Sequence, residues 1–395
     1  MALAMVFLIA YASDAEDVPA GETEMVEPVP GRVFSDDELL FFQDTVTSLL
    51  LSLNFNGSVL MAREGEILVG RSFGFADFRN HTPLTPEMPF QLASISKTFT
   101  ATAVLMLQEE GLLNIDEPVV QYIPEFPYPD ITIRMLLTHT SGLQNYMWLV
   151  ERFWRQSRPP DNEDVLQLFI SYPRPLDFRP GSRFAYSNTG YAFLGLLIER
   201  VSGQSYAEFM HHRIFEPLEM PNTFVYDPRR RSEMTRDRAY GFRRWGRSHI
   251  VIPDVAHDGV MGDKGIYSNV FDLFTWDRAI GRNELLPDSV WAMAFEYTQL
   301  PNGHPVRYGM GWRLQRYLDK QVVHHPGRWN GFRTSFKRFV DDDATLIILN
   351  NNSNDITRLV GRLQNILFHE EITLRQQQPA QEDPEEYEVI GGGSD

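Results

Sequence analysis

Strand patterns stand at both ends of this chain, with helical patterns and proline-rich loops between them. "GSVLMAREGEILVGRS" (57–72) reads as two strands around a turn at Glu64-Gly65. Far downstream, "QVVHHPG", "GFRTSFKRFV" and "ATLIILNN" read as three more, with "DDD" at 341–343 as one turn. From Ser94 to about residue 305 the pattern is mostly helical. Ser35-Asp36-Asp37-Glu38 is a capping box opening a first helix to about Leu53, and a last helix runs from about Asp355 to His369. The fold class is therefore α/β (α+β): one antiparallel sheet built from both chain ends, flanked by helices, with a large, mostly helical inserted region. Such a layout leaves a cleft between its two parts.

The stretch "QLASISKTFTATAVLMLQEEGLL" (91–113) would open on that cleft. It is apolar almost all the way round and ends at Gly111, as a buried helix does. Lys97 breaks the pattern one turn in, three residues after Ser94. Of 36 basic residues only four are lysine: Lys97, Lys264, Lys320 and Lys337. Arginine cannot lose its proton in a protein, whereas a desolvated lysine can become a neutral amine. A lysine at a buried position thus points to proton chemistry. A serine hydroxyl needs a neighbouring base before it attacks, and a Ser-Lys pair on one helix face supplies it. The helix N-terminus adds free N–H groups, with Ser94 N–H a natural oxyanion donor.

The rest of the composition narrows the field. A formal net charge of −17 argues against nucleic-acid or anionic-membrane partners, and zero cysteines exclude disulfides, thiolate catalysis and Cys-ligated metal sites. Residues 2–10 form an apolar run, and Ala10-Tyr11-Ala12 has the small-x-small form of a cleavage site, so residues 1–12 read as a signal peptide and the protein as exported, periplasmic or secreted. Residues 13–33 read as a linker and 373–395 as an acidic, disordered tail. The domain between them, 34–372, divides into a sheet part (34–93 and 306–372) and a helical part (94–305).

Two further motifs follow Ser94 and Lys97 in order: Tyr186-Ser187-Asn188 just before a helix, and His325-Pro326-Gly327 on a strand. Together with "MLLTHTSGL" (135–143), "FEPLEMPNTF" (215–224), "GDKGIYSNVFDLFTWD" (262–277) and "YGMGW" (308–312), they resemble the serine β-lactamase and penicillin-binding family over roughly residues 35–370. The resemblance is closest to class C β-lactamases and D-alanyl-D-alanine carboxypeptidases. It implies a serine hydrolase forming an acyl-enzyme on Ser94 without metal or organic cofactor. Its substrate would be an amide or ester: a β-lactam, a D-amino-acid or cell-wall peptide, or a small carboxylic ester. Lys97 and Tyr186 would share the proton work, with Tyr186 the likelier base. Asn188 would hold Lys97 and the substrate amide, Gly327 would let substrate approach the strand, and the Arg328 N–H would complete the oxyanion hole with that of Ser94.

Class C β-lactamases carry a lysine where this chain has His325, whereas related carboxypeptidases and several esterases or peptidases of the fold carry a histidine there, as His-x-Gly. With an ordinary histidine pKa it would lose its charge near neutrality, so catalysis is expected to weaken above roughly pH 7–8. The alternatives are a non-catalytic binding or regulatory protein on the same fold, and an esterase using Ser72 of Gly70-Arg71-Ser72-Phe73-Gly74. The latter lacks the helix that must follow such a serine. His211-His212 and His324-His325 invite a metal reading, but neighbours in sequence point different ways. The arginine-rich stretch 228–247 reads as a solvated loop, or as an attractor of anionic substrate through Arg243 and Arg244.

Overall fold

The computed structural model describes residues 33–233, 237–246 and 248–369. The signal segment expected at 1–12, the linker at 13–33 and the tail at 373–395 lie outside the described residues, Val33 apart. Contacts divide the chain at Phe34, and the body from there onward is built on a six-stranded antiparallel sheet. Its strands are β1 (Gly57–Arg63), β2 (Glu66–Phe73), β3 (Arg313–Tyr317), β4 (Lys320–Trp329), β5 (Phe332–Phe339) and β6 (Ala344–Asn350), in the order β3-β4-β5-β6-β1-β2. The two chain ends meet where β1 pairs β6, with Leu60 opposite Ile347.

Alternation along these strands separates two cores. Val59, Met61, Leu346 and Ile348 turn to one side, against α1 (Asp36–Ser52) and the C-terminal helix α5 (Thr357–Leu367). Leu60, Ala62, Ile347 and Leu349 turn to the other side, toward the helical part. A strand buried on both faces must be apolar at nearly every position, which is why "ATLIILN" shows no alternation in sequence. The capping box holds as expected, with the Ser35 N–H donating to Glu38 Oε2 at 2.7 Å.

Three helices connect the sheet to the site. α2 (Ser96–Glu109) is buried from Ser96 to Leu107 and stops before Gly111, whose φ of +71° suits a residue without Cβ. α3 (Asn188–Ser202) packs on α2, and α4 (Val270–Gly281) packs across β1 and β6. Asp277 of α4 is fully buried and accepts from Arg338 of β5 at 2.8 Å, and Arg338 reaches Asp343 at 3.1 Å. These charged groups tie α4 to the sheet.

The sheet has one strand more than the sequence suggests. β3, "RLQRY", buries only Leu314 and carries two arginines, so its edge position hides it from pattern reading. The region 94–305 is also less helical than expected. Ile266–Ser268 forms a small sheet between Phe90–Gln91 and Phe224–Val225. Within the arginine-rich stretch, Phe242–Trp245 pairs with Ser248–Val251 as a hairpin rather than a loop. Strands of two to four residues leave too short a pattern to read.

Candidate active site

The serine is set by a strained turn. Leu92 N–H donates to Ile266 O at 2.9 Å, and Leu92 O accepts from Thr334 Oγ1 at 2.8 Å. Between these anchors Ala93 adopts φ +52°, a left-handed conformation that costs a residue bearing Cβ on the order of 1–3 kcal/mol. Ser94 therefore lies in a single 3₁₀ turn, Ala93–Ile95, and α2 proper begins at Ser96. A Cβ on Gly327 would fall 2.0 Å from Thr334 Oγ1 and 2.3 Å from Leu92 O. The expected reason for this glycine was the substrate's approach. The nearer reason is the protein's own: β4 must pass against the turn that carries Ser94.

Lys97 is fully buried one turn on. Its Nζ lies 3.3 Å from Ser94 Oγ, 2.9 Å from Asn188 Oδ1 and 2.7 Å from Asp263 O. Among the described residues no carboxylate touches it, so burial dominates and lowers its pKa to about 8; Asp263 pulls it back up, and Arg313 pushes it down. Asn188 is the first residue of α3. The cap is Ser187, whose hydroxyl accepts from Gly190 N–H, so Asn188 is left free to hold the lysine.

Tyr186 stands on the other side of the serine, its ring centre 5.0 Å from Lys97 Nζ. Its hydroxyl is buried without a well-aligned hydrogen bond, although Ser94 is close enough to favour its ionisation. Burial outweighs that help and holds the phenol above its ordinary pKa. Of the two candidate bases, burial favours the neutral form of the amine and disfavours the phenolate, the reverse of the order expected.

His325 also departs from expectation. It is 1% exposed, and burial, then Lys97 and Arg313, push its pKa well below the usual histidine value. Hydrogen bonding fits the neutral ring. His139 Nδ1 accepts from Ser187 N–H, which leaves His139 Nε2–H to face the Tyr308 hydroxyl at 3.0 Å. Tyr308 Oη lies 3.3 Å from His325 Nε2, and His325 Nδ1 lies 2.7 Å from Pro326 O, an acceptor only. The chain of donors is consistent with a proton on Nδ1 alone. His325 thus carries no charge near neutrality, and the loss of activity above pH 7–8 expected from it has no basis.

The cation beside Tyr186 is instead Arg313, the first residue of β3, with its guanidinium carbon 5.3 Å from the ring centre. Among the described residues no carboxylate pairs with it, and its Nε is buried without a partner. Sequence reading missed Arg313, His139 and Tyr308. All three lie within or beside the quoted framing motifs, but nothing in their spacing marks them as facing Ser94. A cavity of about 670 Å³ opens here, lined by Ser94, Tyr186, Asn188 and His325 together with Arg313, Arg328 and Arg333, and by no Asp or Glu. Beyond His324, β4 pairs only with β5, which leaves the segment from His325 to Trp329 as an open strand edge.

The decoys resolve simply. Ser72 is a strand residue of β2, its hydroxyl 2.7 Å from that of Ser58, and no helix follows it. A π-helical turn at His211–Phe215 brings His211, His212 and Glu216 to within 4.8 Å of one another on the exposed surface, against the expectation that neighbouring histidines diverge.

A half-buried serine with a fully buried lysine one turn on, beside a tyrosine and an asparagine and against a sheet made from both chain ends, defines a serine hydrolase. Residues 54–370 match the beta-lactamase family, and the chain belongs to it. Penicillin-binding protein 4* of Bacillus subtilis is 38% identical over 327 residues, covering 80% of this chain and 72% of that protein. A D-aminopeptidase of Brucella ovis is 25% identical over 78% of this chain and 58% of its own length. In fold, the chain is similar to a penicillin-binding protein from Bacillus halodurans (TM-score 0.69, 24% identity, 83% of this chain and 98% of that one). It is equally similar to D-amino acid amidase from Ochrobactrum anthropi (TM-score 0.69, 22% identity, 86% and 100%).

Proposed function

We propose that the protein hydrolyses amides of D-amino-acid peptides carrying a free carboxylate, with Ser94 as nucleophile and Lys97 as base. The observation that carries this reading is a cavity with three arginines and no acidic residue, in a chain of net charge −17. A carboxylate is the group that an unpaired, half-buried guanidinium such as Arg313 is suited to hold. The names of the relatives, a D-aminopeptidase and a D-amino acid amidase among them, support the D-amino-acid amide part of this reading, while the free carboxylate rests on the arginines alone.

In this mechanism neutral Lys97 takes the Ser94 proton as Oγ attacks the carbonyl carbon. The oxyanion is met by the N–H groups of Ser94 and Arg328, the latter on the open edge of β4. Asn188 holds Lys97 and the scissile amide. Tyr186, protonated and next to Ser94, relays to the departing amine the proton that Lys97 took from Ser94, so that the phenol ends protonated and Lys97 neutral. Lys97 then takes a proton from the water that attacks and releases the acyl group. Export, read from residues 1–12, belongs to the same proposal; cell fractionation tests it.

The experiment is intact mass after incubation with a fluorescent penicillin, together with turnover of D-alanyl amides and 4-nitrophenyl esters, on wild type and Ser94→Ala. An adduct or turnover lost in Ser94→Ala supports the reading. Turnover of neither amide nor ester, with no adduct, leaves a binding protein on the same fold.

A further inference from the structure

Beneath Lys97 lies a second buried lysine that the mechanism above does not use. Lys264 is 3% exposed and Asp263 1% exposed. The Lys264 ammonium lies 3.2 Å from each Asp263 carboxylate oxygen and 2.6 Å from Tyr146 Oη, with the Trp329 ring centre at 4.7 Å. Tyr146 in turn donates to Asp263 Oδ2 at 3.2 Å. The same Asp263 offers its backbone carbonyl to Lys97. One residue thus touches both lysines, one through its main chain and one through its side chain.

This double contact depends on the loop's shape. Gly262 has φ +95°, and a Cβ there would fall 2.4 Å from Tyr191 O, so the chain can turn the Asp263 carbonyl toward α2 only because residue 262 is glycine.

The groups facing Lys97 set what the pair must do. Its own turn supplies Ser94; the segment entering α3 supplies Tyr186, Asn188 and Tyr191; His139, Arg313 and His325 face it from the 139 loop, β3 and β4. Among the described residues Asp263 is the one carboxylate that acts on it, and it favours the charged ammonium. Lys264 faces Asp263, Tyr146, Asp258, His257 and, at longer range, Lys97. Asp258 also accepts from Trp329 Nε1 at 2.5 Å and Asn330 Nδ2 at 3.0 Å, which fixes the wall of the cavity.

We propose that Lys264 is a positioning residue of the catalytic site: its ammonium neutralises Asp263 beneath Lys97, and so leaves Lys97 free to serve as a neutral base. Without Lys264 the Asp263 carboxylate would act on Lys97 unopposed and hold its proton on. The choice of residue fits, since a compact ammonium meets two carboxylate oxygens and a phenol at one point, where a planar guanidinium would not. In a chain that writes nearly every positive charge as arginine, the lysine at 264 is then a requirement of the site.

The inference rests on Lys97 as the base, and its test separates the two. The pH profile of kcat/KM is measured with 4-nitrophenyl butyrate for wild type, Asp263→Asn, Lys264→Met and the double variant, with Tm as a check on folding. The acidic limb should move to lower pH in Asp263→Asn. In Lys264→Met it should move up by about one pH unit, roughly a tenfold loss at pH 7. In the double variant it should return toward wild type. Should Lys264→Met fail to fold, Asp263→Asn and the double variant still carry the comparison. Limbs that stay in place while rates fall would reduce the pair to a structural ion pair and overturn the proposal. Ser94 acylation that survives in Lys97→Met would instead remove the base assignment itself.

Discussion

Arg313 lies over the ring of Tyr186, with its guanidinium carbon 5.3 Å from the ring centre and no carboxylate among the described residues to neutralise it. A cation so placed has two uses. It steadies negative charge on or near Tyr186, and it offers a carboxylate-bearing substrate its strongest partner. Arg313→Gln should lower kcat/KM for a D-peptide by about 10- to 100-fold, mainly through KM, and change a neutral ester far less. Equal losses on both substrates would assign Arg313 to the chemistry rather than to recognition.

The pH dependence should rise where an ordinary histidine at 325 would make it fall. Lys97 titrates at about 8 and must be neutral to act, so kcat/KM climbs with pH and levels off above it. At pH 7 roughly a tenth of the enzyme carries the neutral amine. His325, held neutral by burial, contributes no limb in this range. His325→Gln should therefore keep the position of the rise while changing its height. A wild-type profile flat from pH 6 to 9 would count against Lys97.

Glycine at 327 and serine at 72 separate the site from its decoy. Gly327→Ala drives a Cβ into Thr334 Oγ1 and Leu92 O, the contacts that hold the Ser94 turn, and should cost at least about 100-fold in kcat. Ser72→Ala removes one hydrogen bond to Ser58, worth about 1 kcal/mol, and should leave kcat/KM intact. Steady-state kinetics and thermal melts on both variants check the pair.

The buried ion pair between α4 and β5 should matter to stability and not to chemistry. Asp277→Ala strands Arg338 in a site where both side chains are almost fully buried, a change that costs about 3–5 kcal/mol. Arg338 keeps Asp343, so the loss should sit toward the lower end. Urea melts measure it; a shift below 1 kcal/mol would mean that solvent reaches the pair.

Where sequence and structure agree, the signal was periodic or chemical. The apolar runs of β1 and β6 announce strands buried on both faces, and Ser35 with Glu38 announces a helix start. Ser94 and Lys97 were legible from chemistry, a serine and a base on one helix face, whereas Tyr186 and Asn188 were legible through the family resemblance; the fold brings the four together. What escaped is what depends on burial. The charge of His325 and the basicity of Tyr186 follow from their surroundings, which no spacing reports. Arg313 escaped because an edge strand with one buried residue looks like a loop.

The sheet closes only when β6 reaches β1, and the wall opposite Ser94 comes from β3 and β4, near the far end of the chain. A ribosome makes Ser94 and Lys97 long before it makes Arg313 or His325. A nascent or prematurely ended chain thus holds a serine and its lysine with half a pocket, lacking the arginine and the strand edge that face them. Hydrolysis by this site thereby reports that the chain has been made as far as β6 and has closed on itself.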